Sequence, residues 1–257
     1  MNVDCPAVDT TIFNDGSLYD AQYATLTRDI HFYQQLAIQS GGPVLELAIG
    51  TGRIAYPILQ SGITVTGLDL SHAMLMTASE RTRALHTPCR LVQGDYRDFN
   101  LNETFPLVFC AFNALLHLFT KDAFLQMLHC VKSHLRPGGL FAFDIFQPDP
   151  NLLKNKTMLP ELRERFYDER TQQACDLFET HEYDHTTQIK ICHWEYRWAD
   201  GTMRQETLKI RVYFPDELKL LLDQADLQVV RHLGDFNSSA FGSTSPKQIL
   251  VCRTGKS

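Results

Sequence analysis

Five short, near-continuous apolar runs, each followed by a polar or helix-length amphipathic stretch, constrain this chain more than any other feature. They are PVLELA, TVTGLDL, CRLVQGD, PLVFCAF and LFAFDIF. Strands this apolar need cover on both faces, which is the condition of a parallel sheet between helical layers. The intervening stretches supply the cover. GRIAYPILQSG reads as a helix ending at Gly62, and HAMLMTASERTRAL as one capped by Ser71. KDAFLQMLHCVKSHL is closed by Arg136-Pro137-Gly138-Gly139. A helix from Tyr19 to about Ser40, stopped at Gly41-Gly42-Pro43, precedes the first run. Near the end, a helix from Pro215 and the runs LQVVRHL and KQILVCR complete the pattern. The order predicts a doubly wound, Rossmann-like α/β fold with a mostly parallel seven-stranded sheet. Pro57 should weaken or bend its helix. Pro106 fits only as a strand's first residue or on an exposed edge.

The pattern changes after Asp149. PDPNLL and the charged stretch behind it read as a connector. QIKICHWEYRW and MRQETLKIRVYF flank Asp200-Gly201, a favoured turn pair, and so predict a β-hairpin. DLFETHEYDHT is a further candidate strand. The expected organisation is an α/β domain of residues 1–150 and 215–257, interrupted by an inserted antiparallel β lid at 151–214. Trp194, Tyr196 and Trp198 share one face of the hairpin, either walling a substrate pocket or packing on the main domain.

With 24 basic and 30 acidic side chains and no block of like charge, no nucleic-acid-binding stripe is expected. Seven scattered cysteines without a Cys-x-x-Cys pair suit a reducing compartment rather than a disulfide framework or metal site. MNVDCPAVDT lacks a secretory pattern, and no apolar run is long enough to span a bilayer. The expectation is a cytoplasmic monomer or homodimer acting on a small molecule, with no metal, nucleic-acid or membrane partner.

In an open parallel sheet, ligands bind beyond the carboxyl ends of the strands. Those ends carry Glu46–Gly52, Asp69, Asp95, Phe112–Asn113 and Asp144. GTGRIA fits a dinucleotide turn, with Asp69 as the ribose acid, so a nicotinamide-dependent oxidoreductase is one reading. A pyrophosphate, however, wants helix N–H groups unopposed by negative charge. Glu46, Asp69 and Asp95 ring the same end of the sheet. A phosphate-free cation with ribose hydroxyls and an adenine amino group suits such a ring, and S-adenosylmethionine has those properties.

The motifs VLELAIGTGR, GLDLSHAMLMTA, LVQGDYRDF, FPLVFCAFNALLHL and LRPGGLFAFD occur in that order, followed by GDFNSSAF and QILVCR. Together they make the chain resemble class I S-adenosylmethionine-dependent methyltransferases. The hairpin insertion and the N-terminal LYDAQYA are similar to a small-molecule subgroup that includes sugar N-methyltransferases. The resemblance implies that Glu46, Gly50 and Gly52 hold the amino acid end of the cofactor, with Ala48 in place of the first glycine of the turn. It implies Asp69 on the ribose, Asp95 and Tyr96 at the adenine with Leu70 and Met74 beside it, and Tyr19 closing over the cofactor. Phe112, Asn113 and His117 would lie near the sulfonium and the acceptor. His117 is either a general base or a backbone-bonded histidine at a helix start. Asp144 either orients an amine or hydroxyl or caps a turn. Ala48 is harmless if its backbone does not need positive φ. A non-catalytic cofactor-binding protein and a macromolecule methyltransferase remain as alternatives, because fold alone does not establish turnover.

Overall fold

The computed structural model describes residues 11–149, 153, 157 and 159–254; MNVDCPAVDT with its Cys5, and half of the expected connector PDPNLL, lie outside them. In chain order the described helices are α1 (Gly16–Gln22), α2 (Arg28–Ser40), α3 (Ala55–Gln60), α4 (His72–Thr82), α5 (Lys121–Ser133) and α6 (Pro215–Gln224). The strands are β1 (Val44–Leu47), β2 (Val65–Asp69), β3 (Cys89–Gln93), β4 (Phe105–Cys110), β5 (Leu135–Phe146), β6 (Glu161–Asp168), β7 (Gln173–Asp184), β8 (Ile189–Trp198), β9 (Met203–Arg211), β10 (Leu227–Leu233) and β11 (Lys247–Thr254). No helix among the described residues is long and apolar enough to cross a membrane.

The chain divides into two compact units: Leu26–Gln147 with Tyr213–Ser257, and Met1–Thr25 with Pro148–Val212. The N-terminal segment therefore belongs to the second unit, whereas the sequence reading placed it with the α/β domain. The single helix expected from Tyr19 to Ser40 is also two helices, broken between Gln22 and Arg28. The break frees the Leu26 carbonyl, which a continuous helix would use internally. It accepts instead from Arg53 Nη1 at 2.7 Å.

The α/β unit has the seven-stranded sheet that its apolar runs predict, in the order β10-β11-β5-β4-β1-β2-β3. The pairs β1–β2, β2–β3, β1–β4 and β4–β5 are parallel, while β11 runs antiparallel to both β5 and β10. The strand order reverses at β1, so the crevice beyond the ends of β1 and β4 is the ligand position of this architecture. One core packs α2, α3 and α4 on the sheet through Phe32, Tyr33, Leu36, Ile58, Leu59, Leu75, Val44 and Phe109. Gly67 in β2 is needed for contact rather than for a turn. A β-carbon there would lie 2.2 Å from Ile49 Cδ1, so the glycine is the slot into which the turn after β1 packs.

Both prolines are placed differently from expectation. Pro57 is the third residue of the short α3, inside the first turn, where a helix does not use the missing N–H. Pro106 is the second residue of β4, a central strand. It sits where the β4–β5 register shifts between Phe105 and Leu107, and pairing with β1 begins only at Leu107. The irregularity is what lets a residue without an N–H enter a central strand.

The second unit is a four-stranded antiparallel sheet, β6-β7-β8-β9. The hairpin β8–β9 and strand β7 stand where the sequence places them. Strand β6 occupies part of what reads as a charged connector. It is an edge strand bearing Glu161, Arg163, Glu164 and Arg165, and charge on an edge discourages pairing with other chains. Trp194, Tyr196 and Trp198 pack on Ile12 and Leu18 of the N-terminal segment, with Cys175, Leu177 and Cys192. Their polar edges are all bonded within this unit: Trp194 Nε1 to Glu179, Tyr196 Oη to Gln22, and Trp198 Nε1 to Asp168.

Candidate functional site

Strand β1 is buried at all four positions, yet its third residue is Glu46, 3% exposed. Its Oε2 is buried without a hydrogen-bond partner. Burial pushes the Glu46 carboxyl well above the usual carboxylate range, nearby Asp29 and Asp69 push the same way, and Arg53 opposes them. An acid in this position costs free energy in the free protein and gains most from a cation that brings hydrogen-bond donors.

Immediately after β1 the backbone takes positive φ at alternate residues: Ala48 (53°), Gly50 (58°) and Gly52 (75°). The condition set for a harmless Ala48 is thus not met. An L-residue pays about 1 kcal/mol for the left-handed region, and the close approach of this turn keeps it there. Gly52 illustrates that closeness, since a β-carbon on it would lie 3.3 Å from Ala78 Cβ of α4. The turn is tied to the next strand by Asp69 at the end of β2. Asp69 Oδ2 accepts from Gly50 N and Oδ1 from Ser71 N, both at 2.8 Å. Burial raises the Asp69 carboxyl, and these N–H groups work against the rise. Each carboxylate oxygen keeps a second lone pair, so Asp69 can accept two further bonds.

The remaining expected residues separate by environment. Leu70, just past β2, is 54% exposed, whereas Met74 in the first turn of α4 is 1% exposed. Asp95 lies past β3. Burial would raise its carboxyl, but the backbone and guanidinium N–H groups of Arg97 outweigh burial and hold it below the usual range. The Tyr96 hydroxyl donates to the Ala114 carbonyl at 3.2 Å, and burial raises its phenol far above the ordinary value. His117 ends the 3-10 turn Ala114–His117. Tyr19 lies on α1 in the other unit, with its ring near Phe13 and Tyr23.

Past β4, Phe112 and Asn113 both have positive φ, 56° and 62°. Asparagine tolerates this region, but phenylalanine rarely enters it. Asp144, fully buried on β5, holds the pair. Its Oδ1 accepts from Phe112 N and from the Tyr33 hydroxyl, each at 2.8 Å, and its carbonyl accepts from Asn113 N at 3.1 Å. Its Oδ2 accepts from Lys247 Nζ at 2.6 Å. Asn113 Oδ1 is buried and, like Glu46 Oε2, has no hydrogen-bond partner.

Arg53, which the sequence reading did not single out, links these turns. It makes a bidentate pair with buried Asp29, at 2.8 and 2.6 Å, and its guanidinium lies 5.3 Å from the Phe112 ring centre. Tyr33, Asp29 and Lys247 were missed as well. Their partners are 111, 24 and 103 residues away, and no local pattern announces them.

Residues 44–139, the span from β1 into β5, match the methyltransferase domain family. Over 94% of its length the chain superposes on 96% of the CcbJ methyltransferase of Streptomyces caelestis, with 26% identity and a TM-score of 0.78. It also shares its fold with the S-adenosylmethionine-bound amino pentose methyltransferase CalS10 of Micromonospora echinaspora. There the identity is 18%, the TM-score 0.70, and the coverage 92% of this chain and 96% of that one. Among curated proteins it is 34% identical over 97 residues to a dTDP-3-amino-3,6-dideoxy-α-D-glucopyranose N,N-dimethyltransferase of Streptomyces fradiae, covering 38% of this chain and 36% of that enzyme. The chain spans less than half the length of the first curated relatives it matches. The turn built on Glu46, Gly50 and Asp69 therefore lies in a span similar to the methyltransferase domain family, and the chain has the fold of the CcbJ and CalS10 methyltransferases.

Proposed function

We propose that this protein transfers a methyl group from S-adenosylmethionine to a nitrogen of a small molecule. The observation that carries the reading is Glu46, a buried carboxylate with an orphaned oxygen, on the strand that enters a left-handed turn. A phosphate-bearing dinucleotide would be repelled there, whereas an ammonium and a sulfonium would be drawn in. The residues fit the cofactor. Glu46 and the turn 48–52 would take the amino acid end, and Asp69, with a lone pair to spare on each oxygen, the ribose hydroxyls. The exposed Leu70 and the half-buried Tyr96 would border the adenine, with Asp95 fixing the loop around Tyr96 through Arg97. Bound there, the cofactor supplies a methyl carbon whose bond to a positively charged sulfur breaks as an attacking lone pair bonds it.

The chain's own part is to bring the acceptor into line and keep water out. A nitrogen acceptor is supported by the names of the relatives, which act on aminosugars. It is also supported by chemistry, because a neutral amine attacks without losing a proton first, whereas a hydroxyl needs a base. A small-molecule acceptor accords with the even scatter of charge. Purified protein given labelled S-adenosylmethionine and a panel of amino and hydroxy sugars should label the amino sugars. Transfer to hydroxyls alone, or tight NADH binding with no cofactor affinity, would overturn the reading.

A further inference from the structure

Among the described residues of the α/β unit, four buried side-chain oxygens have no hydrogen-bond partner: those of Gln147 and Gln248, and the two at the β1–β4 crevice, Glu46 Oε2 near the end of β1 and Asn113 Oδ1 just past the adjacent parallel strand β4. Glu46 has its use in the cofactor reading. Asn113 Oδ1 is a neutral acceptor, and a buried acceptor left unsatisfied costs about 1–3 kcal/mol. Its backbone is held in the left-handed region beside a phenylalanine in the same state. Strain of this kind, about 1–3 kcal/mol per residue, persists only where the surroundings over-determine it.

The over-determination is visible. The Asp144 side chain and carbonyl take the N–H groups of Phe112 and Asn113. The same carboxylate is fixed from two further elements, by Tyr33 on α2 and Lys247 on β11. Tyr33 is itself stacked on Phe109 of β4, with ring centres 4.9 Å apart. The turn is thus anchored to α2, β4, β5 and β11, and Arg53 ties its ring to the turn after β1. Asp144 Oδ1 takes two donors and Oδ2 is paired with the Lys247 ammonium, which suits an anchor better than a group that meets the acceptor.

We infer that Asn113 Oδ1 receives an N–H of the attacking amine, and that Asp144 is a positioning residue that holds the Phe112–Asn113 turn to present it. The inference rests on the methyl-transfer reading above. An amide carbonyl takes a hydrogen bond but not a proton. It therefore leaves the amine lone pair free, and the proton of the methylated ammonium departs to water after release. A hydroxyl acceptor gains no deprotonation from it, so the same residue selects nitrogen over oxygen.

Sinefungin, a cofactor analogue with an amine at the position of the transferring methyl, probes this without knowledge of the acceptor. Its affinity is compared with that of S-adenosylhomocysteine by calorimetry. Wild type should prefer sinefungin. N113G, which keeps the left-handed backbone, should lose about tenfold or more of that preference while its S-adenosylhomocysteine affinity changes less than threefold. In a K247M background, D144N retains an acceptor for Phe112 N and should keep the preference, whereas D144L should lose it. Thermal unfolding identifies a leucine variant that fails to fold, in which case N113G decides alone. If wild type binds neither ligand, the cofactor reading fails and this inference with it. If wild type binds both and N113G leaves the sinefungin preference intact, or weakens both ligands equally, this inference alone is wrong.

Discussion

Glu46 and Glu179 are both buried glutamates, 3% and 7% exposed, one in each unit, and they are built in opposite ways. Glu179 Oε1 accepts from Lys190 Nζ at 3.0 Å, and its Oε2 from Trp194 Nε1 at 2.8 Å. Burial would raise its carboxyl, but Lys190, Arg163 and Trp194 outweigh burial and bring it below the usual range. Glu46 has an orphaned oxygen and a raised carboxyl. A buried acid whose charge is answered from within holds a fold together. One whose charge is left unanswered is waiting for a ligand to answer it.

The largest expected effect is on stability in the second unit. Glu179→Gln leaves the Lys190 ammonium buried without its counter-charge and should cost about 3–5 kcal/mol in urea unfolding. A loss below about 1 kcal/mol would remove the contrast. Glu46→Gln should do the reverse. S-adenosylhomocysteine binding should weaken about 10- to 100-fold, as expected for hydrogen bonds to a charged group. Stability at neutral pH should hold or rise. A clear drop in Tm with unchanged affinity would make Glu46 a structural acid like Glu179.

The pH dependence sharpens the same contrast. A carboxyl raised in the folded state favours its protonated form there, so Glu46 should make stability fall as pH climbs above its ordinary value of 4.5. A ligand ammonium placed beside Glu46 favours the ionised form. Affinity for S-adenosylhomocysteine, which carries such an ammonium, should therefore increase between about pH 5 and 7, where that ammonium stays protonated. Glu46→Gln should flatten both trends, and a wild-type affinity independent of pH over that window would contradict the raised acid. The smallest effect concerns the turn itself. Ala48→Gly relieves an L-residue at φ 53° and, with part of the gain offset by the glycine's extra freedom in the unfolded chain, should stabilise the protein by about 0.5 kcal/mol in the same unfolding assay; a loss of stability would contradict strain at this position.

What the sequence made legible was whatever depends on neighbours along the chain. Apolar runs placed β1 to β4 and most of β5, and the strand ends placed Glu46, Asp69 and Asp144 at one end of the sheet, because a parallel strand brings its last residue there by geometry. Helix breaks and side-chain partners were not legible. Beside the break between α1 and α2, Arg53 binds the Leu26 carbonyl and the Asp29 carboxylate, partners 27 and 24 residues away. The anchor on Asp144 comes from Tyr33 and Lys247. Strand β6 was hidden because its edge charges imitate a linker. The sign of φ at Ala48 depends on how closely the turn packs on β2 and α4, which composition does not report.

The central claim, that the Glu46–Asp69 end of the sheet holds S-adenosylmethionine, meets its most direct test in a calorimetric titration of S-adenosylhomocysteine into wild type and Asp69→Ala. The account predicts saturable one-to-one binding to wild type and affinity weaker by about 10- to 100-fold in the variant, where two ribose hydroxyls lose a charged acceptor. No binding to wild type, or equal affinity in the two proteins, would contradict it.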